Sequence, residues 1–399
     1  MESKTLAVAS KHSPGSARQN DTKLVRMAFL TAVSLVTVLL LTVPCLATGN
    51  IVASDLAGAW QIALFGYNAN CTDSMVVQAT ATLNAAGAGP VNIQIQPGCL
   101  NNTTGQFTLT GLATNGLGTA TMTCGANCTW TFSIQVSPDR SKISFVDLTD
   151  AQFLSGVAVL SSAAGHFLTS DLTGSWQASF GGYQAGGSDC TGQYAYYLAT
   201  FTLDATGVGN INLTGNSCTE NGTITVALNA DGSGTAVISC STGCFHKFNI
   251  QVSPDRSMFY LVDLGNQDFS YLEGVATNNS TASDAVLTNL AGEWTVQLSD
   301  LTSTCYYGTT LVRFNLSARG ASTNASETIH SSFCGDSSTV NNSFSIQSLN
   351  ANGSGRATLA CGAGCASHFN IQVSADRSTF ELVDVSDSGT VHNGWAIHE

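Results

Sequence analysis

The chain has 399 residues, of which only 10% are charged, and 26 Asp and Glu outnumber 13 Lys and Arg to give a net charge of −13. This balance argues against nucleic acid or an anionic membrane surface as a partner, because both need a cationic protein face. Most of the remaining polarity comes from Thr, Ser, Asn and Gln, which solvate the face of a sheet without charge.

The N-terminal segment predicts export. Its first 26 residues are polar and basic, and an apolar run from Met27 to Ala47 follows, which is the pattern of a secretory signal with Cys45 and Ala47 at the cleavage site. The run nearly reaches the ~20 residues that a helix needs to cross a bilayer, so an uncleaved signal-anchor helix is the alternative. Both interpretations make residues 1–49 a leader. The rest is then secreted or at the cell surface, with residues 27–47 as its possible membrane anchor.

Cysteines indicate a disulfide framework. The chain has 13 Cys, and those after the leader form three sets of four at matching offsets. Regularly spaced Cys in an exported chain indicate disulfides, although four Cys allow three connectivities. We expect a Cys124–Cys128 bridge across a hairpin and a Cys71–Cys99 bridge between neighbouring loops. Zinc is disfavoured, because each set has a single C-x3-C and thiolates oxidise outside the cell. The sets are Cys71, Cys99, Cys124, Cys128; Cys190, Cys218, Cys240, Cys244; and Cys305, Cys334, Cys361, Cys365.

Three internal repeats decide the domain organisation. Each unit opens with a phrase such as Asp55–Trp60 and closes with a segment such as Phe132–Arg140, followed by a Val-Asp pair. Each unit is large enough to bury a core, and a period above 100 residues is too long for a solenoid. We therefore predict separate modules in a row, at residues 50–160, 171–279 and 288–399.

Eight β-prone runs divide the first unit. Apolar and polar residues alternate in several of them, as at Phe132, Ile134 and Val136, which indicates strands with one dry face. The sequence predicts an all-β protein of three tandem antiparallel eight-stranded up-and-down barrels, with Greek-key sandwiches as the alternative. In such a barrel all four cysteines of a unit fall at one rim. The predicted runs are 58–68, 75–84, 90–97, 105–113, 117–124, 129–137, 142–148 and 153–160.

The opening Gly-x-Trp at Gly58 and Trp60, followed by an eight-stranded meander, resembles the calycin barrels: lipocalins, fatty-acid-binding proteins and avidins. The chain is also similar to uncharacterised secreted repeat proteins of bacteria. The calycin resemblance implies a barrel that carries a small apolar ligand and is plugged at one end by a Trp with an Arg packed across it. The implied plug pairs are Trp60 with Arg140, Trp176 with Arg256, and Trp294 with Arg377.

No constellation of residues predicts catalysis, a metal site or a cofactor. The repeated Asp-Arg pairs at Asp139, Asp255 and Asp376 fit a type I turn better than an anion clamp. Asp147, Asp263 and Asp384 are interpreted as solvated acids at strand ends or as acids that cap turns. His246 and His368 follow their C-x3-C motifs at offsets that differ by one residue, which puts them on opposite strand faces.

These observations favour a non-enzymatic, extracytoplasmic binding or surface-interaction protein with an unknown surface partner. The alternatives are a lipocalin-like carrier of a small apolar ligand and a secreted enzyme of unknown class. A filled barrel is at least as compatible with units of this size as a hollow one, because eight strands are near the limit at which side chains fill the interior.

Overall fold

A computed structural model describes residues 50–68, 73–96, 102–125, 128–148, 153–161, 166–184, 194–215, 219–241, 243–263, 270–279, 285–302, 306–331, 336–360, 366–385 and 390–399. The chain divides into two compact units, Met1–Thr48 and Gly49–Glu399, and the described residues all belong to the second. The predicted signal or anchor helix therefore lies outside the described residues. Within the described ranges, no helix has the length and apolar character needed to cross a membrane.

The described residues form three closed antiparallel barrels of eight strands each. Their order follows the chain, and in the first barrel the opening strand pairs with the closing one, as at Ala59 with Ser161. The up-and-down barrel is therefore confirmed, and the Greek-key sandwich is wrong. The first barrel contains β1 (Gly58–Asn68), β2 (Asp73–Leu83), β3 (Ala88–Gln96), β4 (Thr103–Leu112), β5 (Leu117–Thr123), β6 (Thr129–Val136), β7 (Lys142–Asp147) and β8 (Ser155–Ser161).

The second and third barrels repeat this order, and a short 3₁₀ turn precedes each barrel at Ala53–Leu56, Thr169–Leu172 and Leu287–Leu290. The second barrel contains β9 (Gly174–Gln184), β10 (Tyr194–Leu203), β11 (Val208–Gly215), β12 (Thr219–Leu228), β13 (Ser233–Cys240), β14 (Phe245–Val252), β15 (Met258–Val262) and β16 (Ser270–Asn278). The third contains β17 (Gly292–Thr302), β18 (Tyr306–Leu316), β19 (Ala321–Ser331), β20 (Ser337–Leu349), β21 (Ser354–Ala360), β22 (Ala366–Val373), β23 (Thr379–Asp384) and β24 (Thr390–His398).

Alternating apolar residues fill the barrel interiors. In the first barrel, Trp60, Phe107, Phe132 and Phe145 are each at most 1% exposed and belong to one hydrophobic cluster. Phe132 and Phe145 meet edge to face, with ring centroids 5.4 Å apart. The second and third barrels have equivalent clusters around Trp176 and Trp294. Because these side chains contact one another across each barrel, the interiors are packed cores.

The barrels are not independent modules in a row. A fourth hydrophobic cluster lies outside the three interiors and joins residues of all three barrels. Strands β7 and β15 are buried along their whole length, which means that they are covered on both faces. The cluster contains Ala63, Phe65, Val76, Val157 and Val159 of the first barrel, Met258, Tyr260, Val262 and Val275 of the second, and Trp395 of the third.

Candidate functional site on the axis between the barrels

The repeated Ser-x-Asp-Arg-Ser segment forms the same tight turn in each barrel. In the first barrel this turn joins β6 to β7, and the Arg140 amide donates to the Ser137 carbonyl at 2.8 Å. Arg140 has a left-handed φ of 61°, and its two counterparts have φ values of 60° and 62°. Asp139 accepts hydrogen bonds from the hydroxyls of Ser137 and Ser141. The aspartate therefore holds the turn, as predicted, and its carboxylate is fixed in direction.

These three turns meet at one point, where Lys142 lies between their carboxylates. The Lys142 ammonium is 3.0 Å from Asp255, 3.3 Å from Asp376 and 3.4 Å from Asp139. The Lys142 side chain is fully buried, whereas each aspartate side chain keeps between 27% and 29% of its exposure. Because equivalent turns of three equivalent barrels surround one ammonium, Lys142 marks an approximate threefold axis of the molecule.

Electrostatics at this cluster favour the charged forms. Burial lowers the pKa of Lys142, but the three nearby carboxylates outweigh burial and hold that pKa above its ordinary value. Burial raises the pKa of Asp255, yet the Lys142 ammonium and the hydroxyls of Ser253 and Ser257 bring it well below its usual range. The pKa of Asp139 is also lowered, because the Lys142 ammonium and the hydroxyls of Ser137 and Ser141 outweigh burial. The cluster is therefore an ionic contact between the three barrels, built around one buried ammonium.

Only the first repeat supplies the lysine. The equivalent position after the turn is Met258 in the second barrel and Thr379 in the third. Three lysines at one axial point would repel one another, so a single cation satisfies three anions. Sequence reasoning recognised the turns and missed this convergence. The available signal was one unrepeated lysine next to an otherwise repeated segment.

A polar cavity lies between the three barrels. It is lined by Ser155, Glu273 and Asn393, which occupy equivalent positions just before a glycine in β8, β16 and β24. The cavity volume is about 20 Å³. Its other lining residues include Ser179, Gln297, Ser299 and Trp395.

Buried polar groups in this cavity lack partners. Gln297 is 1% exposed, and within the described part of the chain neither atom of its side-chain amide has a hydrogen-bond partner. Burial raises the pKa of Glu273 to about 8. Glu381 does not belong to the described cavity lining but is also buried, and burial raises its pKa to about 8 because the Ser179 side chain and backbone offset burial only in part. An unsatisfied buried polar group costs about 1–3 kcal/mol, so a bound partner for these groups would stabilise the protein.

The predicted plug residues lie at the turn end of each barrel. Trp60, Trp176 and Trp294 are each at most 1% exposed, and each indole N–H donates at 2.8 Å to the carbonyl of the leucine four residues earlier. Arg140 donates to Asp55 at 3.0 Å. Arg256 donates to Asp171 at 3.0 Å and stands 5.0 Å from the ring centre of Phe167. This geometry explains the Asp-Leu phrase of the first two repeats, which is Asn289-Leu290 in the third. The arginine plug across the indole stays a prediction.

Two of the expected disulfides fall within the described residues. The structure joins Cys124 to Cys128 and Cys240 to Cys244, each pair with a Cα–Cα distance of 4.9 Å. In both hairpins the amide of the first cysteine donates to the carbonyl of the second. The remaining cysteines lie outside the described residues: Cys71, Cys99, Cys190, Cys218, Cys305, Cys334, Cys361 and Cys365.

The repeated Val-Asp acids are buried, which contradicts a solvated position at the strand end. Asp147 is 0% and Asp263 is 1% exposed, and the side chain of Asp384 is also 1% exposed. Side chains alternate between the two faces along β7, β15 and β23. These acids lie at or just after the strand ends and fall on the inward face, so they point into the barrels. His246 lies inside the second barrel, 3.8 Å from Asp263. His368 is exposed, which confirms that the two histidines lie on opposite strand faces.

Comparisons with known proteins assign no family. No family model and no curated protein matches the chain. Among solved structures, it is similar to a candidate AttH protein of Nitrosomonas europaea, with 10% identity, a TM-score of 0.23 and coverage of 85% of this chain and 91% of that one.

The chain is also similar to two Transferrin Binding Protein B structures. The one from Haemophilus parasuis is 8% identical with a TM-score of 0.23, and 86% of this chain and 76% of that chain are covered. The one from serogroup B Neisseria meningitidis is 9% identical with a TM-score of 0.24, at 81% and 65% coverage. At these TM-scores the likenesses carry no argument, and a functional interpretation has to come from the geometry.

Proposed function

We propose that the chain is an extracytoplasmic, non-enzymatic interaction protein, secreted or held at the cell surface, that presents its outer surface to a partner. In this proposal residues 1–49 are the leader, and residues 50–160, 171–279 and 288–399 are disulfide-stapled, calycin-like modules. Each module is closed at its turn end by the Trp and Arg plug. The partner is a surface molecule, and neither nucleic acid nor a small apolar ligand is needed.

The observation that carries this proposal is the packing of the barrels. Apolar side chains fill each interior, and the Lys142 cluster joins the three barrels at a buried axis. A carrier needs an internal cavity for its ligand, whereas a protein that displays loops and faces needs a stiff scaffold. Filled barrels on a common axis match the second requirement.

The outer face of the first barrel supports an uncharged partner. No charged residue occurs between Ser74 and Pro138, a segment that includes most of β2 and all of β3–β6. The outward side chains there are hydroxyls and amides, and Thr110 hydrogen-bonds Thr119 across β4 and β5 at 2.8 Å. Such a face recognises a neutral, hydrogen-bonding surface better than a charged one. Exposed members are Thr80, Thr82, Asn92, Gln94, Thr104, Gln106, Thr108, Thr110 and Thr119.

Native mass spectrometry of the protein from an oxidising host tests the scaffold proposal. We expect a denatured mass lowered by the hydrogens of six disulfides and a native mass with no releasable small molecule. A stoichiometric lipid or metabolite in the native species would support the carrier instead. Free thiols in the denatured species would contradict the exported, disulfide-stapled interpretation.

A reporter fusion tests the location. Residues 1–49 are placed before a phosphatase that folds only in an oxidising compartment, and the fusion is expressed in a bacterial host. We expect phosphatase activity, and we expect it to disappear when Leu39 and Leu40 in the apolar run are both replaced by Arg. An inactive fusion with the unchanged leader would contradict export.

A further inference from the structure

We propose that the polar cavity between the barrels is a binding site for one hard cation of the Ca²⁺ class. We call this cavity the axial cavity; its polar lining residues are Ser155, Ser179, Glu273, Gln297, Ser299 and Asn393. The inference goes beyond the proposed interaction function and does not depend on it.

The chemistry of the lining favours a hard cation. The polar side chains carry one carboxyl, two amide oxygens and three hydroxyls, of which those of Ser155 and Ser299 hydrogen-bond each other, and no thiol or imidazole belongs to the described lining. Hard cations such as Ca²⁺ take carboxylate, amide and hydroxyl oxygens, whereas softer metals prefer sulfur or imidazole. Each barrel contributes to this set, so an ion bound here would join all three.

Two observations indicate that the buried polar groups of the axial cavity can take a further partner. The Gln297 side-chain amide is 1% exposed and lacks a partner at both atoms among the described residues, and the amide oxygen of Asn393 also lacks one there. A cavity of about 20 Å³ has room for roughly one water or one ion. A bound ion would use the oxygen atoms that the protein leaves unpaired.

Charge distinguishes the ion from a water molecule. Glu273 is 9% exposed, and no Lys, Arg or His belongs to the described lining of the axial cavity. A cation would supply the positive charge that this lining lacks, whereas a water molecule would not.

The ligand set favours Ca²⁺ over Mg²⁺. Mg²⁺ demands near-octahedral geometry and keeps several waters, for which a cavity of this size has no room, whereas Ca²⁺ accepts irregular sets of six to eight oxygens. One carboxylate among neutral oxygens predicts weak binding, in the range of about 10⁻⁴–10⁻³ M typical of extracellular calcium modules.

Terbium luminescence tests this site directly, because Tb³⁺ replaces Ca²⁺ and Trp395 lines the cavity at 6% exposure. We expect Tb³⁺ bound to the full chain to emit when indole is excited, with one site per chain, and Ca²⁺ to displace it. Glu273→Gln should weaken binding by about 100-fold. The matched control Glu293→Gln removes an exposed carboxylate and should leave the titration unchanged.

Two further variants keep the test decisive. We expect Ca²⁺ to raise the thermal midpoint of the parent protein. Trp395→Phe should remove the sensitised emission and keep this rise. Gln297→Met keeps the side-chain length, removes the amide and should weaken Ca²⁺ binding by about 10-fold even if Glu273→Gln fails to fold. No sensitised emission, or equal emission from the parent and both binding-site variants, would overturn the proposal and leave the cavity to water or the emission to a surface site.

Discussion

At the residue scale, one side chain organises the contact between three barrels. Lys142 is fully buried and faces three carboxylates at 3.0–3.4 Å, so its charge is compensated more than once. A buried charge is costly without partners, and its loss leaves its partners uncompensated. The cluster therefore specifies how the barrels meet more than it adds net stability.

We predict that Lys142→Met, which copies Met258, destabilises the protein by about 2–3 kcal/mol near pH 7, because three partly solvated carboxylates then face one another. Urea unfolding measures the change. The loss should shrink below about pH 4, where the carboxylates protonate. Adding Asp255→Asn to Lys142→Met should recover part of the stability lost near pH 7. An unaltered unfolding midpoint in Lys142→Met would mean that the cluster does not hold the barrels together.

Glu273 and Glu381 give a second prediction at this scale. Their pKa values are raised from 4.5 to about 8 in the folded protein, so the folded state keeps protons that the unfolded state releases. Their contribution is fully present below pH 4.5 and is lost as the pH rises toward about 8. We expect the thermal midpoint, measured with a chelator present, to fall across this window.

The double variant Glu273→Gln with Glu381→Gln should flatten that slope, because its amides do not titrate. The Glu293→Gln protein, which loses an exposed acid, is the control and should keep the slope. A parent protein whose midpoint is constant between pH 5 and 8 would contradict the assignment of neutral buried carboxyls to Glu273 and Glu381.

At the element scale, the strands of the first barrel follow the sequence closely. The predicted run 58–68 matches β1 (Gly58–Asn68), and the other runs agree with the observed strands to within two residues at each end. Agreement is good because turn signals and period-2 alternation coincide at each boundary. The turns were equally readable, and Gly232 and Gly353 have the left-handed φ values of 81° and 82° that their hairpins require.

Barrel closure depends on a glycine in the last strand, which predicts an effect of Gly156→Ala. A Cβ at Gly156 would lie 2.1 Å from the Ala63 carbonyl oxygen on β1. We expect a loss of about 1–3 kcal/mol, as for an overpacked core. At Gly111, a Cβ meets only the Thr119 hydroxyl at 3.3 Å, so Gly111→Ala is the control and should change little. Equal unfolding midpoints for the two variants would refute this account of closure.

At the scale of the whole molecule, sequence reasoning stopped at three separate modules. The packing between them depends on outward residues of the first, second, seventh and last strands, which a single repeat cannot reveal. A signal was present in the continuous apolar run of β15 (Met258–Val262), since a strand that is covered on both faces lacks alternation. The axial cavity was beyond reach, because Ser155, Glu273 and Asn393 become neighbours only after the barrels assemble.

Small-angle scattering of residues 50–399 tests most directly whether the three barrels form one body. A single compact unit of this length has a radius of gyration of about 20 Å. Three barrels strung out in a row, each with a radius of gyration of about 13 Å, would give about 28 Å instead. We predict a value near the smaller figure, unchanged between low and high salt. A value near the larger figure would contradict the common axis, the Lys142 cluster and the axial cavity together.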